Sequence, residues 1–474
     1  MSVPSSALGT VEEQLPLRDG VFAPGRRRLT VGLVLTITLV AFESLAIATV
    51  MPTVQEDLGG LALYGWVFSG FFLASLVGIV VTGVLSDRRG PAVPFTAGLV
   101  LFGAGLVAGG LATSMGMLVA ARIAQGFGAG TIPAAAYAAI ALGYPAELRP
   151  RVFAVNSTAW VLPGILGPSL ATLIEHAASW HWVFLGLLPL VVVAAIMAIP
   201  ALTRLRPEAP PDGRGLSPAD RTRLVRVGLL VLGVGAVFAA TSVDVALVGI
   251  ALAVVGLPVA VWAFVRLVPA GTVRLERGLP SVVGVRGLLT WAFFGCDAYV
   301  SLAVTEGLGG STLLAGLVLT ATSITWTAGS WVQERWIKRV GPRRLDVIGF
   351  ALVAAGTAAM LVVATGLPPW TAIPAWAIGG LGMGLAYSPL SVAALACAPT
   401  GQTGAATASL QLSDTLGISI GTGIGGAAVA LADGQGWTVA TGVGIAFTVS
   451  LLLAVIGFVA ARRIPARLPA DPAG

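Results

Sequence analysis

Charge is scarce in this chain: Asp, Glu, Lys and Arg make up only 10% of its 474 residues, where soluble domains carry about 25%. That leaves too little polar surface to solvate domains of this total length, and it excludes a soluble multidomain enzyme. Histidine and cysteine are rarer still, at two each. Cys296 and Cys397 lie in separate apolar runs, so neither a disulfide framework nor a zinc spacing can be built from them. The net charge of +6 would suit nucleic acid only if the basic residues clustered on a folded face. They stand instead at the ends of apolar runs, and no nucleic-acid partner is expected.

What the chain has in abundance is apolar sequence: 56% of residues are hydrophobic, and 62 are glycine. Spans of roughly 20 apolar residues cross a bilayer, and small residues let such spans pack closely. Runs fall at about 30 to 52, 62 to 85, 92 to 113, 116 to 143, 150 to 174 and 181 to 203. Two more follow at 227 to 243 and 245 to 267, then six at 281 to 304, 312 to 333, 344 to 365, 371 to 397, 403 to 431 and 437 to 461. The expectation is an all-α polytopic membrane protein with about fourteen helices.

Basic residues test that number, because Lys and Arg concentrate in cytoplasmic loops. Alternate connections hold Arg88 and Arg89, Arg149 and Arg151, Arg204 to Arg226, Arg266 to Arg286, Arg335 to Arg344, and Arg462 to Arg467. The intervening ones hold Glu56, Asp57, Glu175, Asp244, Glu306 and Asp433, with no Lys or Arg. An odd number of spans would break the alternation, so both termini are expected in the cytoplasm. The division is then a disordered tail at 1–28, a six-helix bundle at 29–203, a cytoplasmic loop at 204–226, two inserted helices at 227–267, a second six-helix bundle at 281–462 and a tail at 463–474. The first span is expected to be retained and not cleaved as a signal peptide.

An internal repeat relates the two sets of six. Gly126, Gly128 and Gly130 recur 254 residues later as Gly380, Gly382 and Gly384, and Gly167 recurs as Gly421. Glu43, the lone acid of the first run, falls on Asp297, the lone acid of the ninth. Arg89-Gly90-Pro91 returns as Arg339-Val340-Gly341-Pro342. Repeats of this kind build transporters whose substrate site lies between the halves near mid-depth.

Ionisable residues inside a membrane are functional candidates by default, and the spans hold Glu43, Arg122, Asp297 and Asp414. At 1.5 Å per residue, Glu43 and Arg122 both lie roughly 13 Å below the outer helix ends. An acid and a base at one level can couple proton binding to substrate binding, or form a fixed ion pair that sets helix packing. Asp297 and Asp414 have no basic residue in neighbouring runs. Each reads as a second proton site, a contact for a cationic substrate, or a neutral carboxyl bonded to a backbone carbonyl. The repeat exchanges charge for aromatic twice, placing Trp376 on Arg122 and Trp160 on Asp414. Both tryptophans serve as cavity walls able to hold a cation or as packing, and Asn156 and Gln411 lie within a turn of Trp160 and Asp414.

Gly83-Val84-Leu85-Ser86-Asp87-Arg88-Arg89-Gly90 resembles the signature loop of the major facilitator superfamily. Arg122-Ile123-Ala124-Gln125-Gly126 resembles its helix-four motif, Gly164-Ile165-Leu166-Gly167-Pro168 its antiporter-associated helix-five motif, and Glu43 through Pro52 its helix-one motif. The likeness runs over nearly the whole chain and is greatest to the fourteen-span drug:proton antiporter branch. It implies the major facilitator fold, two pseudo-symmetric six-helix bundles plus two inserted helices. It also implies proton coupling through Glu43 and Arg122, with Asp297 and Asp414 assisting, and a cytoplasmic gate at Gly83, Asp87, Arg88, Arg89 and Gly90.

The function expected is secondary active efflux of small amphipathic molecules, driven by the proton gradient with no cofactor or metal. The chain is expected as a monomer in the cell membrane of a bacterium. A dedicated metabolite or lipid-like molecule is the alternative cargo. A membrane-embedded hydrolase would need paired acids, a Ser with His, or a metal cluster at depth, and a sensor would need a folded soluble domain; the sequence offers none of these.

Overall fold

A computed structural model describes residues 20–145, 161–205, 215–240, 246–399 and 403–466, with Leu148, Val152, Val155 and Ala159 between. Its long helices are α1 (Arg27–Leu58), α2 (Tyr64–Arg89), α3 (Ala92–Gly110), α4 (Met115–Gly143), α5 (Val161–Ala177), α6 (Leu188–Leu202) and α7 (Pro218–Ala239). They continue as α8 (Ala246–Leu267), α9 (Leu279–Leu302), α10 (Thr312–Val340), α11 (Pro342–Val363), α12 (Ala372–Ala396), α13 (Thr403–Gly434) and α14 (Val439–Ala460). The described residues contain no strand. Thirteen of these helical segments are long and apolar enough to cross a membrane; α5, described over 17 residues, falls just short in length.

Helix ends follow local chemistry. Ser114, Ser311 and Thr438 cap α4, α10 and α14 by accepting bonds from backbone N–H groups three residues on, which satisfies donors the helix leaves free. Gly90 and Gly341 close α2 and α10 at φ 84° and 82°, a region that costs glycine no steric clash. Two segments expected as tail or loop are more structured than the sequence suggested. Gly20–Arg26 turns back on α1, where Thr30 Oγ1 donates to the Val21 carbonyl at 2.6 Å and Val21 is buried. The loop at 204–226 gives way to α7 at Pro218, because Ser217 and Asp220 form a capping box.

The repeat is a repeat of packing. α2 and α3 pack on α4, α1 on α5 and α6, and α3 on α6; the second half pairs α10 and α11 with α12, α9 with α13 and α14, and α11 with α14. Glycine sets the closest approach identically in both. A Cβ at Gly126 or Gly130 would collide with the Phe71 or Ser75 carbonyl of α2, and one at Gly380 or Gly384 with the Thr322 or Trp326 carbonyl of α10. The halves meet through α2 on α13 and α5 on α10, while α7 and α8 pair with each other and lean on α2 and α13. Large apolar side chains such as Leu247, Val254 and Trp262 of α8 point outward, as lipid-facing surfaces must.

The two ends of the molecule differ. At the end bearing Glu56 and Glu306, Gly65 and Gly426 touch backbone to backbone, and the Tyr64 and Tyr299 rings meet tilted at 36° with centroids 5.7 Å apart. Below them Ser419 Oγ donates to the Ser69 carbonyl at 3.2 Å, and the Ser169 and Thr320 hydroxyls meet at 3.0 Å. Near the opposite, basic end a Cβ at Gly83 would meet nothing within 4 Å, and Tyr137 of α4 is partly exposed. The conformation is sealed at the acidic face.

Candidate functional site: three buried polar clusters

The first cluster joins α1 to α4. Arg122 Nη1 donates to Glu43 Oε1 in a buried ion pair. Arg122 Nε also donates to the Val67 carbonyl at 3.2 Å, and its guanidinium lies 4.1 Å from the centre of the Phe71 ring. Gln125, one turn along α4, completes the set: its Nε2 donates to Glu43 Oε1, and its Oε1 accepts from Arg122, both at 3.2 Å. Glu43 Oε2 has no hydrogen-bond partner among the described residues. The depth arithmetic thus brought together the two residues it singled out; Gln125, quoted as motif, proves to be the third member.

The second cluster stands where the repeat maps the first. Trp376 Nε1 donates to Asp297 Oδ1 at 2.7 Å across a sequence separation of 79 residues, the same separation as Glu43 and Arg122. Asp297 joins no ion pair among the described residues. The indole stacks on Phe293 with centroids 5.0 Å apart, and its space is cleared by Gly379, where a Cβ would meet the ring at 2.9 Å. Gly379 occupies the position that Gln125 holds in the first half. Trp376 is wholly enclosed, so it is part of the packed wall between α9 and α12 and not of an open cavity surface. Replacing it with Phe keeps the stacking and removes the donor. A loss of about 1–3 kcal/mol is expected from a buried acceptor left unmade, read as a lower melting temperature in detergent, with Asp297→Asn/Trp376→Phe recovering part of it.

The third cluster corrects an expectation. Asp414 does have a basic partner: Arg286 of α9, whose Nε donates to Asp414 Oδ1 at 2.6 Å. Arg286 counted in the sequence as part of a basic connector, but α9 begins at Leu279, a full two turns earlier. Its Nη1 donates to the Tyr387 carbonyl at 2.5 Å and to Ser391 Oγ at 3.3 Å, and its guanidinium lies over the Tyr387 ring at 3.1 Å. Tyr387 Oη donates to Asp414 Oδ2 at 3.1 Å. A fourth buried acid also went unread: Asp346 of α11 is fully buried, and neither of its carboxyl oxygens has a hydrogen-bond partner among the described residues.

The remaining candidates lie around these clusters. Arg88 reaches Asp220 at the start of α7, Nη2 to Oδ2 2.6 Å, tying the signature loop to the inserted helices. Arg89 and Gly83 are exposed; the side chain of Asp87 lies outside the described residues. In α5, Gly167 packs towards Leu45 and Phe42 of α1, while a Cβ at Gly164 would come within 3.5 Å of Ser323 of α10, so this motif lies where the halves meet. Pro168 supplies the carbonyl to which Thr172 Oγ1 donates at 3.0 Å. Gln411 is half-buried one turn before Asp414. Asn156 and Trp160 lie outside the described residues.

Two bundles that repeat one set of helix contacts, with buried acid and base groups between apolar helices, have the architecture of a membrane transporter. The chain belongs to the Major Facilitator Superfamily, whose family model matches residues 33–422. It is 25% identical over 369 residues to the multidrug efflux pump SdrM of Staphylococcus aureus, covering 76% of this chain and 80% of that one. It is 28% identical over 460 residues to the "Probable multidrug-efflux transporter Rv1634" of Mycobacterium tuberculosis, covering 91% and 94%. In fold it resembles an auto-inhibited POT family peptide transporter at a TM-score of 0.68, with 17% identity over 94% of this chain and 99% of that one. It is a multi-pass membrane protein acting on small molecules by secondary transport.

Proposed function

We propose that this chain is a proton-coupled exporter of small amphipathic molecules of the drug type, in the fourteen-span branch of its family. The observation that carries the reading is the enclosed Glu43–Arg122–Gln125 set, in which Glu43 keeps one carboxyl oxygen free of partners. A buried guanidinium held by a carboxylate leaves that carboxylate only when a proton or another charge replaces it. Proton binding at Glu43 and release of Arg122 are therefore one event, and helices α1 and α4 carry it to the substrate path. Two six-helix bundles, 29–203 and 281–462, rock about the seam between them, with the Arg88 loop as the cytoplasmic gate. Both termini face the cytoplasm of a bacterial cell, and the chain works as a monomer, driven by the proton gradient without a cofactor. Its multidrug-named relatives support the cargo class.

The test is transport of ethidium into everted membrane vesicles energised by a pH gradient. Wild type is expected to accumulate dye and to draw down the gradient as dye is added; Glu43→Gln is expected to lose at least tenfold of that rate. Full-rate accumulation in Glu43→Gln, or dye movement without proton movement, would remove the coupling assignment.

A further inference from the structure

We infer that Arg286, Asp414 and Asp346 form a separate proton-holding site in the second bundle, in which one guanidinium serves two buried carboxyls and Asp346 carries the proton. The inference deepens the proton-coupled reading and rests on it for its role in transport, but the site itself is read from charge and geometry alone.

Three helices bring the groups together. Arg286 on α9 is bound on one side by Asp414 of α13 and on the other by the Tyr387 carbonyl and Ser391 of α12. Asp346 lies one turn into α11, which packs along α12 and touches α9, the helix that carries Arg286, so that Arg286 is within electrostatic reach of it. The other titratable groups facing the set are Tyr387, which bonds Asp414, and Tyr137 of α4, which lies within electrostatic reach of both Asp414 and Arg286. No further cation enters an ion pair with Asp414 or Asp346 among the described residues.

Charge balance then decides the proton count. An ionised carboxylate without a counter-charge or hydrogen bond is too costly to keep out of water, and such groups neutralise instead. Arg286 compensates a single carboxylate, and the 2.6 Å contact gives it to Asp414. Asp346, with both oxygens unpartnered, is the one left to take the proton. The first bundle has one acid for one base and holds no such extra proton, so this site has no copy there: the positions equivalent to Arg286 and Asp346 are Gly32 by the 254-residue spacing and Phe95 by the 251-residue spacing. Tyr137 comes from the opposite bundle, so rocking of the halves changes what faces the Arg286–Asp414 pair. That gives the site a route to respond to the transport cycle.

Infrared spectroscopy of the purified protein in lipid nanodiscs at neutral pH tests this without any transported molecule, through the carbonyl stretch of protonated carboxyls and its shift in heavy water. Wild type minus Asp346→Asn is expected to show one protonated-carboxyl band. Asp414→Asn is expected to abolish the same band although Asp346 is still present, because Arg286 is then free to pair with it. Arg286→Gln is expected to strengthen the carboxyl signal, since two acids then lack a counter-charge. Asp297→Asn serves as the control and leaves the Asp346 band in place. A wild type and Asp346→Asn with the same carboxyl signal, or an Asp346 band that persists in Asp414→Asn, would overturn the assignment. Failure of the ethidium assay would leave these spectra unaffected, so the two readings fail separately. Matched circular dichroism and melting of the isosteric Asp→Asn variants establish that each spectrum comes from folded protein.

Discussion

Arg122→Met is expected to be the most damaging single substitution in the first bundle. It strips the counter-charge from Glu43, and breaking a buried pair in this way costs about 3–5 kcal/mol. The double variant Glu43→Gln/Arg122→Met leaves no charge behind and keeps Gln125 as a partner for the new amide. It is expected to recover most of the lost melting temperature while remaining inactive in gradient-driven ethidium transport. Restored folding with lost coupling is the outcome that separates a working pair from a packing device. A double variant as unstable as the single one would mean that Arg122 acts through its contacts with Val67 and Phe71, and its charge would then be incidental.

The second large effect is expected at the seal. Gly65 and Gly426 approach so closely that a Cβ on either would overlap the other's backbone, with the Tyr299 hydroxyl 3.0 Å away. A helix backbone cannot yield as a side chain does, and overpacking costs about 1–3 kcal/mol. The penalty falls only on the conformation closed at the acidic face, because separating the halves removes the overlap. Gly65→Leu, whose Cβ would meet only atoms of the opposite half, should therefore shift the conformational balance roughly 5- to 150-fold, at 1.4 kcal/mol per tenfold, with little change in melting temperature. A cysteine placed at Ser419, buried in the closed seam, is expected to become accessible to a membrane-impermeant thiol reagent in the Leu variant, and transport is expected to fall at least tenfold. Unchanged labelling together with full transport would show that the contact does not hold the seal.

Much of this was readable from the chain because a membrane enforces two strict rules. Spans must be apolar throughout, so helices and their number follow from hydropathy, and a lone charge such as Glu43 or Arg122 stands out against its run. The 254-residue spacing maps Asp297 onto Glu43 and Trp376 onto Arg122, and the contact between the first pair recurs between the second because a duplicated bundle reuses its contacts. Arg286 and Asp346 escaped for one physical reason. Each lies only one or two turns inside a helix whose first turns carry loop-like residues, Gly278-Leu279-Pro280 before one and Gly341-Pro342-Arg343-Arg344 before the other. Both residues fall inside the apolar runs, 281 to 304 and 344 to 365, but so near their starts that they read as part of the connections. The usable signal was proline: at the first helical positions it marks where a helix begins, and Pro280 and Pro342 set both residues one to two turns deep. The partnership of Arg286 with Asp414 depends on α9 and α13 lying side by side, and that is a property of the packing.

The matched pairs also differ in what a membrane voltage can do to them. While Glu43 on α1 and Arg122 on α4 stay paired as equal and opposite charges, moving the two helices together through the field performs no net electrical work; a proton on Glu43 ends that balance. Asp297 has an uncharged indole for its partner. When it gives up a proton it carries a full unit of charge, on which a potential acts with about 2.3 kcal/mol per 100 mV over the whole membrane. At matching depths the unprotonated first pair is thus electrically balanced and an ionised Asp297 is not, and the difference comes down to Arg122 against Trp376.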